Sequence, residues 1–423
     1  MPASPKTPST VTDVACPFCG LVCDDLVVDV ASDTITVRAN GCRLATTGFG
    51  ATTVGEPRIA GRPATLAAAT AEAARLLSSA RQPLIGGLST DVDGARAAAR
   101  LADRTGAVLD HMNAAAAFRN VLTMQDSGWI TTTLSEIRNR ADLLVVVGGD
   151  IVSRFPRFFE RCIVNQDTLF SEGRQCEVIF LGAAAPAGVT LPGPPATISC
   201  EVARLGEAFG ALRAQIAGRT LTATDAAGAP MSVWQQLATR MKAAKYGVIA
   251  WAVPDLDFPH AELTVQALCE MVKELNRTTR FAGLPLGGSE GDLTVESVFL
   301  WQTGFGSRTS FGQGQPDHDA HQFATAQLLG RGETDLLFWI ASFNAARTPP
   351  TTTVPTVVLG RPGMIFEREP AVFIPVGTPG VDHAGHLFRT DRVVALPLGQ
   401  LRASSLPSVA SVLTAVEAAL QER

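Results

Sequence analysis

The sequence predicts an α/β protein: two doubly wound parallel-sheet lobes behind a small N-terminal cysteine module. Three observations carry this. Apolar, strand-like runs ending at or near glycine alternate with helical patterns, one such run recurs in both halves of the chain, and four cysteines gather near the N-terminus. Strands that alternate with crossover helices are parallel and covered on both faces, so they read as continuous apolar runs.

The cysteine module comes first. Cys16, Cys19 and Cys23 are spaced C-x2-C-x3-C, and Cys42 follows after a longer gap. Three thiolates in one short loop can converge on one centre, and a fourth on the return of a hairpin closes the shell. This suits an iron–sulfur cluster or an all-cysteine zinc site, with reduced structural thiols as the alternative. Arg43 places a cation beside Cys42. Cys162, Cys176, Cys200 and Cys269 are scattered and read as buried free thiols, because 8 cysteines in 423 residues are too sparse for a disulfide scaffold.

The first lobe follows. Pro83-Leu-Ile-Gly-Gly-Leu88 reads as a buried strand leading into an Ala-rich helix from about Asp91 to Arg104. Ala141-Asp-Leu-Leu-Val-Val-Val147 and Glu177-Val-Ile-Phe-Leu-Gly182 are further strands. In the second half, Tyr246-Gly-Val-Ile-Ala-Trp251 precedes a helix from about Pro259 to Asn276; Thr334-Asp-Leu-Leu-Phe-Trp-Ile340 and Val354-Pro-Thr-Val-Val-Leu-Gly360 complete the pattern. The likeness of Ala-Asp-Leu-Leu-Val-Val-Val to Thr-Asp-Leu-Leu-Phe-Trp-Ile marks two similar lobes. Segments 183–197 and 217–230, rich in Ala, Pro and Gly, read as connections. The expected division is a cysteine module over 1–60, lobes over 61–200 and 201–360, and a C-terminal segment, 361–423, packing back on them. A cofactor in such a fold lies at the carboxyl ends of the strands, in the crevice between the lobes.

Composition narrows the function. A net charge of −5 gives no basic surface for nucleic acid. No apolar run reaches the length of a membrane span, and Met-Pro-Ala-Ser-Pro-Lys-Thr-Pro lacks the apolar core of a signal peptide, so a cytoplasmic protein is expected. Charged residues at 18% and a mean hydropathy of +0.18 fit a surface partly covered by other subunits. A GC-rich coding bias explains the same numbers, since alanine is abundant and Lys6, Lys242, Lys245 and Lys273 are the only lysines.

The remaining polar clusters read as structure. Asp317, His318, Asp319 and His321 form a polar loop without a third placed ligand, and Asp382, His383 and His386 a hydrogen-bonded turn. Gly148-Gly149-Asp150 closes a central strand and would let a ligand approach the backbone, but no Gly-rich fingerprint opens a helix there. No catalytic or cofactor-binding residue is assigned.

Taken together, these segments resemble the B subunit of formylmethanofuran dehydrogenase, a family in the molybdopterin oxidoreductase superfamily. The resemblance spans nearly the whole chain. It rests on Cys16-Pro-Phe-Cys19-Gly-Leu-Val-Cys23-Asp-Asp25 with Cys42, on Thr133-Leu-Ser-Glu-Ile-Arg-Asn-Arg-Ala-Asp142, on Trp301-Gln-Thr-Gly-Phe305, and on Gly380-Val-Asp-His-Ala-Gly-His-Leu-Phe-Arg-Thr-Asp391. It implies a molybdopterin-oxidoreductase-like fold. In active relatives the four cysteines hold a four-iron four-sulfur cluster, and a tungsten or molybdenum bis-pterin with a cysteine ligand performs formate redox chemistry.

This chain departs from the active family in two places. Where the family carries a Cys-His-Gly-Pro stretch, upstream of a Gln and Gly resembling Gln125 and Gly128, the sequence reads Asn113-Ala-Ala-Ala-Ala-Phe-Arg119; no cysteine lies between Cys42 and Cys162. The family's Asn-Pro and the histidines around its Pro-Arg pair are replaced in Asp150-Ile-Val-Ser-Arg-Phe155-Pro156-Arg157-Phe158. No tungsten or molybdenum pterin is therefore expected.

The pattern is most similar to the B subunit of bacterial formyltransferase/hydrolase complexes. That resemblance implies a non-catalytic scaffold, with formyltransferase and amidohydrolase-like partner chains that pass a formyl group from formyl-tetrahydromethanopterin to a methanofuran-like carrier and hydrolyse it to formate. The cysteine site is left with a four-iron four-sulfur cluster, zinc or no metal. The competing readings are an active tungsten or molybdenum formylmethanofuran dehydrogenase chain drawing its metal ligand from elsewhere, and a free-standing binding protein.

Overall fold

The parallel strands pair across long sequence separations. The computed structural model describes residues 9–31, 34–51, 54–149, 151–164, 169, 175–182 and 184–421. In one sheet Val108–Leu109, Pro83–Ser89, Leu336–Ala341, Thr356–Gly360 and Val372–Pro375 run parallel in that order. Short antiparallel strands finish both edges: Thr309–Ser310 with Asp317–His318, and Arg58–Ile59 with Arg62–Pro63. A second sheet, parallel throughout, has the order Ala196–Ile198, Glu177–Leu181, Leu143–Val147, Gly247–Ala252, Phe281–Leu286.

Two lobes were expected, and two sheets are present, but the boundaries differ from those read in the sequence. The chain divides into one unit built from residues up to Ala114 and from Gly288 onward, and a second from Ala115 to Gly287. The divisions 61–200, 201–360 and 361–423 are corrected accordingly: the strand Val372–Pro375 belongs to the first sheet, and the strands on either side of residue 200 share the second. Local patterns reveal where strands are, not which strands they pair with.

The repeat detected in the sequence has a structural counterpart. Asp142, just before Leu143–Val147, accepts hydrogen bonds from the backbone N–H groups of Lys245 and Tyr246 (both 2.9 Å), and its own N–H donates to Tyr246 O (3.2 Å). Asp335, just before Leu336–Ala341, does the same to Arg81 N (2.8 Å), Gln82 N (3.0 Å) and Gln82 O (3.4 Å). Each aspartate clips the start of the neighbouring parallel strand and sets its register, Leu143 opposite Gly247 and Leu336 opposite Pro83. The two units use the same device in permuted chain order.

The helices cover the sheets as their apolar faces dictate. In the first unit, Leu66–Ser79, Val92–Thr105 and Val409–Gln421 bury Ala73, Ala98, Leu101, Val412 and Val416 against Ile85, Phe338 and Ile374. Small alanines bring helix and sheet backbones close. Asp91 caps its helix by accepting from Gly94 N (3.0 Å), and Gly106 ends it in the left-handed conformation at φ 70°. In the second unit Leu205–Ile216, Met231–Ala243 and Ala261–Leu275 pack Phe209, Trp234 and Leu268 on Val145 and Ile249. The last of these starts at Ala261, later than expected, because His260 adopts a left-handed φ of 60°.

The cysteine module is part of the first unit. It is an antiparallel sheet of Ser9–Val14, Leu26–Val30 and Ile35–Ala39 followed by the helix Arg43–Phe49. Among the described residues no helix is long and apolar enough to cross a membrane.

Candidate functional site

The loop between Ser9–Val14 and Leu26–Val30 holds three of the four cysteines. Cys16 N donates to Cys23 O (2.8 Å) and Val22 N to Cys19 O (3.1 Å), so the loop closes on itself. Cys42 lies directly before the helix Arg43–Phe49. Cys16, Cys19 and Cys23 are buried and Cys42 half-buried.

Burial, followed by the neighbouring Cys19 and more weakly Cys23 and Cys42, pushes the Cys16 thiol well above its ordinary value. Burial, Cys23 and Cys42 push Cys19 up to about 12, against backbone N–H groups of Leu21 and Val22 that favour its thiolate. The four sulfurs thus feel one another. Yet among the described residues no set of three or more His, Cys, Asp or Glu side chains is drawn together closely enough to coordinate one ion. The donor set fits a tetrathiolate centre in its chemistry, with N–H groups aimed at sulfur, while the side chains are neighbours rather than a coordination shell. A bound cation would reverse the penalty that neutral thiols now avoid.

One arginine ties this module to the carboxyl end of the first sheet. Arg361 follows the strand Thr356–Gly360, is 4% exposed, and donates to Phe343 O (2.9 Å) and Gly48 O (2.6 Å). Its guanidinium lies 5.7 Å from the Phe18 ring, which meets Phe49 edge-on at 5.0 Å. A side chain at position 48 would enter the Phe18 ring, so Gly48 permits this contact. Burial lowers the Arg361 pKa to about 10, leaving it charged at neutral pH.

The other polar groups at the carboxyl ends of the first sheet bond largely to each other. Ser342 Oγ donates to Ser89 O (2.8 Å) and Thr378 Oγ1 to Ser342 O (2.8 Å). Thr378 N donates to Asp382 Oδ2 (2.8 Å), whose other oxygen accepts from Arg402 Nε (2.8 Å). Asn113 Nδ2 donates to Ser289 O (3.1 Å) and Asp292 Oδ2 (3.0 Å). Asn113 N also donates to His111 Nδ1 (3.0 Å), while His111 Nε2 lies 3.2 Å from Glu290 O. That pair of contacts assigns the neutral tautomer with the proton on Nε2. The segment Asn113–Arg119 therefore provides an amide already engaged and, from Ala114 onward, the start of the helix Ala114–Ser127.

His111 and Asp110 give this region a pH signature. Burial lowers His111 to about 4 and raises Asp110 to about 6, the latter despite Arg308. His111 binds a proton more readily unfolded, so its stabilising effect is lost as pH falls from 6.5 toward 4. Asp110 holds a proton more tightly folded, so its effect is lost as pH rises from 3.8 through 6. Between pH 7 and pH 5 the first costs about 2 kcal/mol and the second returns about 1. His111→Gln is expected to remove the first contribution and shift the stability difference between pH 5 and pH 7 by about 2 kcal/mol in favour of pH 5 relative to wild type, measured by urea unfolding of both proteins at both pH values. An unchanged difference between the two pH values would refute this assignment.

In the second unit the Gly148-Gly149 pair faces Asp255 rather than open space: a Cβ on Gly149 would lie 3.2 Å from Asp255 Oδ2. Asp255 accepts from Arg154 Nε (2.8 Å). Asp150 lies outside the described residues. Phe155 and Phe158 are fully buried; Phe158 meets Phe159 edge-on at 5.3 Å, and Phe159 lies tilted against Phe180 at 6.0 Å.

The other expected clusters are structural. His318 stacks on Phe305 at 5.5 Å, and Asp319 accepts from His321 N (2.8 Å) and Gln322 N (2.7 Å) to close its turn. Asp382 serves Arg402 and Thr378, His383 Nδ1 approaches Ala384 O (2.8 Å), and His386 is exposed. Sequence reasoning missed Arg361 and Glu290. The only signal for the latter was its setting between glycines in Gly287-Gly-Ser-Glu-Gly291.

No protein-family model matches the chain. The B subunit of tungsten-containing formylmethanofuran dehydrogenase 2 of Methanocaldococcus jannaschii is 28% identical over 400 residues, covering 90% of this chain and 92% of that protein. The B subunit of the formyltransferase/hydrolase complex Fhc of Methylorubrum extorquens is 29% identical over 343 residues, 79% of this chain and 89% of that protein. The crystal structure of the FhcABCD complex from Methylorubrum extorquens, solved with methylofuran, contains a chain matching 86% of this one and 99% of itself, with a TM-score of 0.75 and 29% identity. Acetylene hydratase from Pelobacter acetylenicus matches 97% of this chain and 69% of its own at a TM-score of 0.65; at 9% identity it shares the fold alone. By sequence along most of its length and by its α/β molybdopterin-oxidoreductase-like fold, the chain is a homologue of the B subunits of formylmethanofuran dehydrogenase and of the formyltransferase/hydrolase complex.

Proposed function

We propose that this chain is a non-catalytic, cytoplasmic scaffold subunit of a formyltransferase/hydrolase complex. In that complex, partner chains of formyltransferase and amidohydrolase type convert formyl-tetrahydromethanopterin to formate through a methanofuran-like carrier. The observation that carries the reading is the carboxyl end of the first sheet, where side chains bond to one another and Asn113–Arg119 supplies no thiolate. A redox metal held by a pterin needs a ligand and space, and the homologous complex supplies the setting in which a redox-silent subunit has a use. Cys16, Cys19, Cys23 and Cys42 are proposed to hold a structural four-iron four-sulfur cluster, with zinc as the alternative, that stabilises the N-terminal module.

The test is elemental analysis of the complex purified without oxygen, with formate-dependent dye reduction and formyl transfer assayed together. Tungsten and molybdenum are expected far below one per complex, with formyl transfer intact and no formate oxidation. Stoichiometric tungsten or molybdenum with formate oxidation would overturn the scaffold reading. Iron with sulfide, zinc alone, or neither decides the cysteine centre separately.

A further inference from the structure

The helix Asp292–Thr303 is built inside out. Its two acids are buried: Glu296, 4% exposed, accepts from Ser307 N through both oxygens (3.2 and 3.1 Å), and Asp292 accepts from Gly288 N (2.7 Å). Its outer side instead carries Leu300 and Trp301, 42% and 55% exposed. A helix that is apolar on its outer side as well as its inner one is normally surrounded by protein.

A hairpin extends this surface. Gly385–Phe388 pairs with Ala395–Leu398, Leu387 opposite Leu396 and Phe388 opposite Ala395. Side chains alternate along such strands, so Leu387 and Leu398 turn inward onto Val22 and Phe343 while His386, Phe388, Ala395 and Pro397 face outward. Phe388 N donates to Thr294 Oγ1 (2.9 Å), two turns before Trp301 on the same helix, and the Trp301 and Phe388 rings lie 6.0 Å apart. Val393 in the connecting turn is 58% exposed. Helix end and hairpin thus form one apolar surface with a tryptophan in it, the composition of a docking site and its anchor.

Charge and the strand edge say what covers it. Between residues 385 and 400 the acidic and basic side chains are Arg389, Asp391 and Arg392. Asp391, its side chain 0% exposed, pairs with Arg389 (2.7 Å), and Arg392 is exposed in the turn. The hairpin therefore sets cations beside its apolar face. A second copy of this chain docking face to face would bring the same arginines in return, so the fit is to a different chain. Pro397 has no N–H to offer an added strand, and the contact is one of side chains.

We propose that Leu300, Trp301, Phe388, Val393 and Pro397 form the surface by which this chain docks on another subunit of its complex, one that presents an apolar cleft bordered by carboxylates. The inference rests on the scaffold reading and names a surface that reading leaves unassigned.

The test is retention of this chain by the co-expressed complex, captured through a tag on another subunit. Trp301→Glu is expected to weaken retention on the order of 30-fold, while the isolated full-length variant keeps the wild-type urea midpoint because the side chain is exposed. Arg392→Glu is expected to weaken it about fivefold at low salt and hardly at all at high salt. Ile365→Glu, at a residue 87% exposed on the loop after the strand Thr356–Gly360, is expected to leave retention unchanged. In hydroxyl-radical footprinting Trp301 should be oxidised about fivefold more slowly in the complex than in the isolated chain, since a docked anchor is shielded from water. Full retention of Trp301→Glu, an equal loss with Ile365→Glu, an unprotected Trp301 in the complex, or an isolated wild-type chain whose homo-oligomer is broken by Trp301→Glu would each overturn the surface and leave the scaffold reading standing. A wild-type chain retained by no other subunit would overturn the scaffold reading and this surface with it.

Discussion

Arg361→Ala is expected to destabilise the protein by about 3–5 kcal/mol. The guanidinium is buried and satisfies two backbone carbonyls at once, Phe343 O at the end of the sheet and Gly48 O in the cysteine module. Truncation leaves both oxygens without this donor and removes the cation that lies against Phe18. Each orphaned buried acceptor costs about 1–3 kcal/mol, and the lost side chain leaves a cavity beside an aromatic pair. Arg361→Lys should recover only part of the loss, since one ammonium lacks the planar fork that spans both carbonyls.

The consequence reaches the cysteines. With Gly48 untethered, the buried thiols of Cys16, Cys19 and Cys23 should react faster with an aromatic disulfide reagent under native conditions. Urea unfolding and native thiol titration measure the two effects. A variant that loses stability but keeps wild-type thiol reactivity would show that Arg361 does not hold the module in place.

Asp142→Ala is expected to cost about 2–3 kcal/mol, and Asp335→Ala about 1–2 because its site is more exposed. In each case the carboxylate accepts two backbone N–H groups at the start of a neighbouring parallel strand. Parallel strands have no hairpin to fix their alignment, so such a clip sets register as well as adding bonds. Asn in place of Asp keeps one acceptor and should lose about half as much. The two sites share no partner, so their losses should add to within about 0.5 kcal/mol. Thermal and urea unfolding of the single and double variants measures this, and wild-type stability in Asp142→Ala would remove the clip from the account.

The matched runs around these aspartates were legible in the sequence as a repeat, and their purpose was not. Apolar runs such as Leu143–Val147 and Thr356–Gly360 announce buried strands because both faces are covered, and the helix Val92–Thr105 announces itself through its alanine face and its Asp91 cap. The lobe boundaries failed for a physical reason. Pairing of Pro83–Ser89 with Leu336–Ala341 is non-local, and nothing in either run names its partner.

The same division holds at the candidate site. Cysteine spacing alone singled out the four thiols of the N-terminal module as candidate donors, and the residue types in Asn113–Arg119 alone showed that no thiolate is offered there, because identity and short-range spacing are properties of the chain itself. How near the four sulfurs come, that Arg361 joins Gly48 to Phe343, and that Glu290 enters a cradle of Ser89, Asn344 and Arg347 emerged only once the sheets had assembled. A lone arginine or glutamate is usually a solvated side chain. It becomes a strut only when folding removes the water around it and leaves protein groups as its partners.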